Sequence, residues 1–255
     1  MSPTVDLNAD VGESTGARRH GDDEGVMPHI TSANIACGFH AGDPGVMRAT
    51  VALALAHGVA IGAHPGLHDL EGFGRREMRV SPDEVENLVA YQVGALAGIA
   101  AQQGVSLTHV KPHGALYNMA ARERTLADAV VRAVRAVDPK LVLFGLSNSE
   151  LVRAASAAGL AVASEAFADR GYLANGELAP RSAPGGVVAD VDAVLRRATG
   201  MVLEQAVEAV DGTLVPLSVD TVCVHGDTPG AAELASRLRA HLGAAGIAVR
   251  AIRAD

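Results

Sequence analysis

The chain has no tryptophan, only 3% aromatic residues, two cysteines and two lysines, Lys111 and Lys140, among its 21 basic residues. Each shortage removes a class of function. Without aromatics to stack on bases, and with a net charge of −8, there is no basis for a nucleic-acid partner or any other polyanion. Cys37 and Cys223 lie too far apart for a zinc ribbon and are too few for a disulfide framework, so a reduced cytoplasmic setting is expected. The longest apolar run, Val51 to Ala63, is broken by His57 and glycines, and no basic start with an apolar stretch opens the chain; neither a membrane span nor a signal peptide is expected. Walker, G-x-S-x-G and Cys-x-x-Cys sequences are absent, which leaves P-loop, serine-hydrolase and thioredoxin-like chemistry without support.

Hydrophobic residues make up 49% of the 255 positions, ample for a core, and the length suits one α/β barrel spanning residues 1–255. Four times an Ala-rich segment of helical composition ends at a glycine that is followed at once by an alternating apolar segment: at Gly58, Gly104, Gly159 and Gly246. Glycine there supplies the left-handed residue that closes a helix, so these are helix-to-strand junctions. The interval from Gly159 to Gly246 is about twice the earlier ones, which predicts an undetected junction between them.

Helix starts fall at Ser81-Pro82-Asp83-Glu84 and at Ser147-Asn148-Ser149-Glu150, each with a capping serine and a glutamate three residues later, and at Asp43-Pro44 and Thr228-Pro229. After Ser81, the residues Val85, Leu88, Val89, Leu96, Ile99 and Ala100 form one helical stripe. Eight strands are predicted, at Val5–Asn8, Ile30–Ala36, Val59–Ala63, Leu107–Lys111, Leu141–Leu146, Leu160–Ser164, Val219–Val224 and Ile247–Ile252. A small hairpin turns at Asp211-Gly212. Segments 12–29 and 168–187 lack periodicity and read as long loops.

Polar residues gather where these strands end: Asn8, Asp10 and Glu13; His40 and Asp43; His64; Lys111 and His113; Ser147; Glu165, Asp169 and Arg170; His225 and Asp227. A parallel α/β sheet carries its active site at that edge, so one pole would collect imidazoles, carboxylates, a lysine and arginines. Any one of them has an ordinary explanation, since Asp43 is a natural helix cap and a single histidine is more often structural than catalytic. Several at one pole argue for chemistry. Gly12, Gly16, Gly38, Gly42, Gly62, Gly66 and Gly114 permit turns or a close backbone approach to a ligand. Arg75 and Arg76 are either solvated charge or a clamp for a carboxylate or phosphate. Asp10, His40, His64 and His113 are donors that suit zinc, but their spacing is not diagnostic, so no metal ligands are assigned and metal binding stays open. His64 and His68 cannot share a helix face because Pro65 and Gly66 intervene.

The segments Asp6 to Glu13, Asn34 to Pro44, Gly62-Ala63-His64-Pro65 with Gly72 to Arg76, Val110 to Asn118, Glu165 to Arg170 and Cys223 to Asp227, in that order, resemble the LamB/YcsF family over nearly the whole chain. His68 departs from that pattern, which tends to have proline there. The resemblance implies an irregular β/α barrel of about seven parallel strands, like that of sugar deacetylases, with one of the eight expected strands outside it. It also implies hydrolysis of 5-oxoproline to L-glutamate coupled to ATP hydrolysis, with ATP handled together with 5-oxoprolinase subunits B and C, which look like allophanate-hydrolase or carboxyltransferase proteins. Under that reading Asp10 or His113 is the base and Lys111 and His64 stabilise developing negative charge. Arg75, Arg76 or Arg170 would hold the substrate carboxylate, and His40 and His225 would complete the polar wall. Asn8, Glu13, Glu165, Asp169 and Asp227 are expected on the substrate side. Competing readings are a stand-alone metal-dependent amide hydrolase or deacetylase and a scaffold that only binds lactam or holds B and C; a homo-oligomer stays open.

Overall fold

A computed structural model describes residues 3–16, 19–224 and 230–252. Strand β1 (Thr4–Val11) shows the logic of the architecture. Val5, Leu7, Ala9 and Val11 belong to the apolar core shared with the helices, while the alternate residues Asp6, Asn8 and Asp10 turn to the other face. The parallel strands that follow are β2 (Ser32–Ala36), β3 (Ala60–His64), β4 (His109–Val110), β5 (Val142–Leu146) and β6 (Val162–Phe167). An antiparallel hairpin, β7 (Ala206–Glu208) with β8 (Leu214–Pro216), precedes β9 (Thr221–Val224) and β10 (Ala248–Val249). In the described residues the helices are α1 (Asp23–Val26), α2 (Pro44–His57), α3 (Pro82–Ala101), α4 (Gly114–Arg122), α5 (Arg124–Val137), α6 (Glu150–Ala157), α7 (Val191–Glu204) and α8 (Ala231–Ala244).

Seven strands close a parallel barrel in the order β1-β2-β3-β4-β5-β6-β9, and β9 returns to β1 with Asn8 opposite Cys223. The last strand, β10, lies outside that ring, paired with β1 only at Thr4 and Val5. All eight expected strands are present with different ends: the first runs on to Val11 and the sixth to Phe167, while the last shrinks from 247–252 to Ala248–Val249. The fourth is shorter than the span 107–111, although Thr108 and Lys111 extend its ladder by donating to the carbonyls of Ile61 and Ala63.

Gly58, Gly104, Gly159 and Gly246 all take positive φ at helix ends. The missing junction is Gln205, which follows α7 with φ 52°. A glutamine holds this left-handed position because its side chain is tied at both ends: Nε2 donates to the Val202 carbonyl and Oε1 accepts from the Val219 amide. Ser81 and Glu84 form the expected capping box on α3, and Asp43 caps α2. At α6 the cap is Ser149 rather than Ser147, whose hydroxyl instead accepts from the Ser218 amide. The Thr228-Pro229 start lies outside the described residues. The hairpin turns at Asp211 and Gly212 as expected, while the loop read at 12–29 contains α1 and a short 3-10 turn at Met27–His29. The α1 turn is capped by Asp22, and Asp23 within it accepts from the Gly12 amide. No described helix is long and apolar enough to cross a membrane.

Candidate functional site

The barrel interior is unusual in its chemistry: where aliphatic layers would be the common filling, polar side chains take their place. At the bottom, Asp6 accepts from Thr31, Ser32 and Thr221. One layer up, Asn8 donates to Glu165 (2.9 Å) and Thr221 (2.7 Å) and accepts from Asn34 (2.7 Å) and Lys111 (3.1 Å). Lys111 is the hub. Its Nζ also reaches Asp10 Oδ1 at 2.9 Å, Glu165 Oε1 at 2.8 Å and Cys223 Sγ at 3.0 Å, while being only 2% exposed. Glu165 takes a further bond from the Tyr117 hydroxyl at 2.7 Å. Burial alone would lower the Lys111 pKa, but the Asp10 and Glu165 carboxylates outweigh it and hold the ammonium well above its ordinary value. Tyr117 and Cys223 are pushed up as well, by burial first, and both stay protonated well above their ordinary range.

Beside this floor stands a wall of imidazoles delivered by the ends of β2, β3 and β4. His64 Nδ1 donates to the Lys111 carbonyl (2.7 Å) and His113 Nε2 to the Phe73 carbonyl (2.8 Å). His64 Nε2 and His113 Nδ1 then face each other at 2.9 Å. His40 stacks on His113 with centroids 3.7 Å apart and planes 3° apart, and both its ring nitrogens are buried without a hydrogen-bond partner among the described residues. Glu13 Oε1 lies 3.5 Å from His40 Nε2 and 3.6 Å from His113 Nδ1. Burial, then the neighbouring imidazoles, holds the pKa of His40 and of His113 well below the ordinary value, so both rings are neutral.

Backbone shape makes this packing feasible. Gly66 and Gly74 flank the stacked rings, and a Cβ on Gly74 would sit 2.7 Å from the His40 Cβ while one on Gly66 would sit 2.6 Å from its Nδ1. Gly74 also has φ 62°, and Phe73 before it has φ 55°, a left-handed pair that turns the Phe73 carbonyl toward His113. The close approach offered by Gly66 is to a histidine of the chain itself.

Floor and wall open on a cavity of about 410 Å³ at the expected pole of the barrel. Asp10, His64, Lys111 and His113 lie at its base, and Arg75, Arg170 and Arg181 line it with Tyr117 and Phe167. The remaining expected residues take other places. Asn8 and Glu165 are fully buried beneath the cavity, and Glu13 and His40 stand behind the His64–His113 pair. Arg76 turns out to solvent with its side chain 62% exposed and is paired with Asp69, whose pKa this pairing lowers to about 2. Arg170 spends its guanidinium on the Gly186 and Ala179 carbonyls, bracing the 168–187 loop that forms one cavity wall. Asp169 is half-buried and off the cavity lining. His225 and Asp227 lie outside the described residues.

Several contributors lie outside the expected set: Asp6, Asn34, His109, Tyr117, Thr221, Cys223 and Arg181. Polar residues at alternate positions of otherwise apolar strands, Asp6-x-Asn8-x-Asp10 and Ser32-x-Asn34, are the sequence signal that marks Asp6 and Asn34 as barrel-filling. Arg181 carries no such signal, because a loop folds it over the mouth.

The LamB/YcsF family model matches residues 5–255. A Bordetella pertussis protein that bears the name of the A component of 5-oxoprolinase is 57% identical over 251 residues, covering 98% of this chain and all of that one. Its namesake in Geobacillus thermodenitrificans is 56% identical over 252 residues, covering 99% and 98%. Among solved structures, a lactam utilization protein from Thermus thermophilus superposes with a TM-score of 0.92 at 52% identity, covering 98% of this chain and 100% of that one.

Proposed function

The chain belongs to the LamB/YcsF family, and on that premise we propose that it opens the γ-lactam of 5-oxoproline to L-glutamate as the A component of an ATP-dependent 5-oxoprolinase, with B and C subunits as partners. The observation that carries this reading is identity above one half, from end to end, with proteins bearing that component's name. The chemistry of the cavity agrees. A lactam carbonyl is a poor electrophile, and transfer of the ATP γ-phosphoryl group to its oxygen, releasing ADP, makes the ring carbon attackable. Water adds to that carbon, the ring C–N bond breaks to leave an acyl phosphate, and a second water releases phosphate and glutamate. The absence of a Walker sequence supports assigning nucleotide handling to the partners.

Of the two candidate bases, Asp10 suits the part better than His113. Both His113 nitrogens are engaged, one by the Phe73 carbonyl and one against His64, whereas Asp10 brings a carboxylate to the cavity base, its Oδ1 accepting from Lys111 and Asn34 and its Oδ2 3.4 Å from His64 Nε2. Lys111 at that base stabilises negative charge developing on the carbonyl oxygen, whereas His64 has its Nδ1 proton committed to the Lys111 carbonyl and is not given that part. Arg75, which lies over the Phe73 ring at 4.9 Å, is the cavity arginine for the substrate carboxylate. Arg76 is not given that part.

The test is glutamate release from 5-oxoproline by the purified chain, with and without ATP, alone and mixed with B and C subunits. Release confined to the mixture that contains ATP and both partners is expected. Release by the chain alone without ATP would overturn the coupled reading in favour of a self-sufficient amide hydrolase.

A further inference from the structure

We propose that Glu13, His40, His64 and His113 form a binding site for one divalent transition-metal ion, with zinc the best match. Their candidate donor atoms all lie within 4.8 Å of one another and all four residues are buried. Tetrahedral ligands at zinc bond lengths stand about 3.3–3.6 Å apart. The separations of 3.5 Å for His40 Nε2 to Glu13 and 3.6 Å for His113 Nδ1 to Glu13 match that spacing, and His64 Nε2 and His113 Nδ1, at 2.9 Å, need to part by a few tenths of an ångström to share an ion. Three imidazoles and one carboxylate suit zinc and its neighbours in the first transition row and do not suit magnesium or calcium, which take oxygen.

The tautomers supply the independent argument. A backbone carbonyl only accepts, so the Lys111 and Phe73 carbonyls fix the protons on His64 Nδ1 and His113 Nε2. The nitrogens left over, His64 Nε2 and His113 Nδ1, are held face to face at 2.9 Å. That arrangement is repulsive unless something positive lies between them. A second nitrogen donating to a backbone carbonyl is also the usual outer support of a metal-bound histidine. His40 completes the case, being 1% exposed with neither ring nitrogen hydrogen-bonded among the described residues, a costly state for a buried imidazole that serves only packing. Gly66 and Gly74 lie against the stacked rings with no space for a larger residue. The site stands independently of the lactam reading, since it rests on the chain's own donor atoms.

The full-length chain, stripped with a chelator and dialysed, should be titrated with zinc alone and with cobalt(II) alone. About one ion per chain by elemental analysis is expected, together with a rise in thermal midpoint on loading and visible d–d absorption from the cobalt form. Glu13→Gln, which preserves shape, and His40→Ala should each weaken zinc at least about tenfold. Less than about a tenth of an ion on a folded wild-type chain would overturn the site and leave a shared proton as the bridge between His64 and His113. Unchanged affinity in both folded variants would place any bound ion elsewhere. If a variant fails to fold, the wild-type cobalt spectrum decides, because an ion held by surface carboxylates gives only the weak absorption of octahedral oxygen ligation.

Discussion

The barrel mouth holds two polar clusters side by side that are satisfied to very different degrees. Around Lys111, donors and acceptors are matched: the ammonium has four polar neighbours, Asn8 uses both ends of its amide, and Glu165 is bonded through both oxygens. Around His113, the Nδ1 of that ring and the Nε2 of His64 face each other at 2.9 Å with their opposite nitrogens already committed to carbonyls, and His40 has neither nitrogen hydrogen-bonded among the described residues. Buried polar groups are normally paired, so an under-bonded cluster inside an otherwise well-bonded barrel signals a group that arrives from outside. The floor holds charge in place, and the wall and Asp10 form the face that works, with the Lys111 ammonium belonging to both.

That contrast can be broken by attacking the floor. Lys111→Met leaves the partly buried Asp10 and the fully buried Glu165 without the cation they share, and chemical denaturation should show a loss of about 3–5 kcal/mol. A loss below about 1 kcal/mol would mean that the floor is not held by that charge. Next in size is an acid sensitivity traced to His109. Its pKa falls to about 3, through burial first and then Lys111, from an ordinary 6.5. The unfolded chain therefore binds the extra proton first, and stability present above about pH 6.5 drains away as pH falls toward 3, by roughly 1.4 kcal/mol per pH unit at most. His40 and His113, also held well below their ordinary value, add to the same loss, so His109→Gln should reduce the slope of the stability-versus-pH curve in that window without abolishing it, and an unchanged slope would assign the acid loss to those other groups.

Tyr117→Phe sharpens the comparison more gently. It removes the donor to Glu165 Oε2 inside a buried network and should cost about 1–3 kcal/mol by thermal or denaturant unfolding. The smallest effect belongs to the exposed surface, where Arg124 pairs with Asp128 one turn on along α5. Arg124→Ala should change stability by no more than about 0.5 kcal/mol, and a larger loss would show that surface ion pairs matter here as much as the barrel interior.

Much of this arrangement is legible in the order of residues. Glycine at helix ends reports a backbone need that few other residues meet, and so four junctions can be located from sequence; the fifth escapes because Gln205 satisfies the same need through side-chain bonds that include one to a residue distant in sequence. The gathering of Asp10, His64, Lys111 and His113 follows from strand ends in a parallel barrel, which is a topological consequence. What sequence order cannot show is direction. Arg75 and Arg76 are neighbours of the same charge, yet one faces the cavity and the other pairs with Asp69, because the turn after Gly72 sends successive side chains to opposite sides. Asn8 and Glu165 read equally well as substrate contacts in sequence, but the closed barrel buries both beneath the cavity.

The division between a holding floor and a working face is tested most directly by Asp10→Asn, measured for glutamate release in the complex with B and C and for thermal midpoint in the same preparation. Turnover should fall by about 10²–10⁴-fold, the range for a lost general base, while the chain stays folded because the amide oxygen of the substituted side chain still accepts from Lys111 and Asn34. Turnover within a few-fold of wild type in a folded complex would contradict that division.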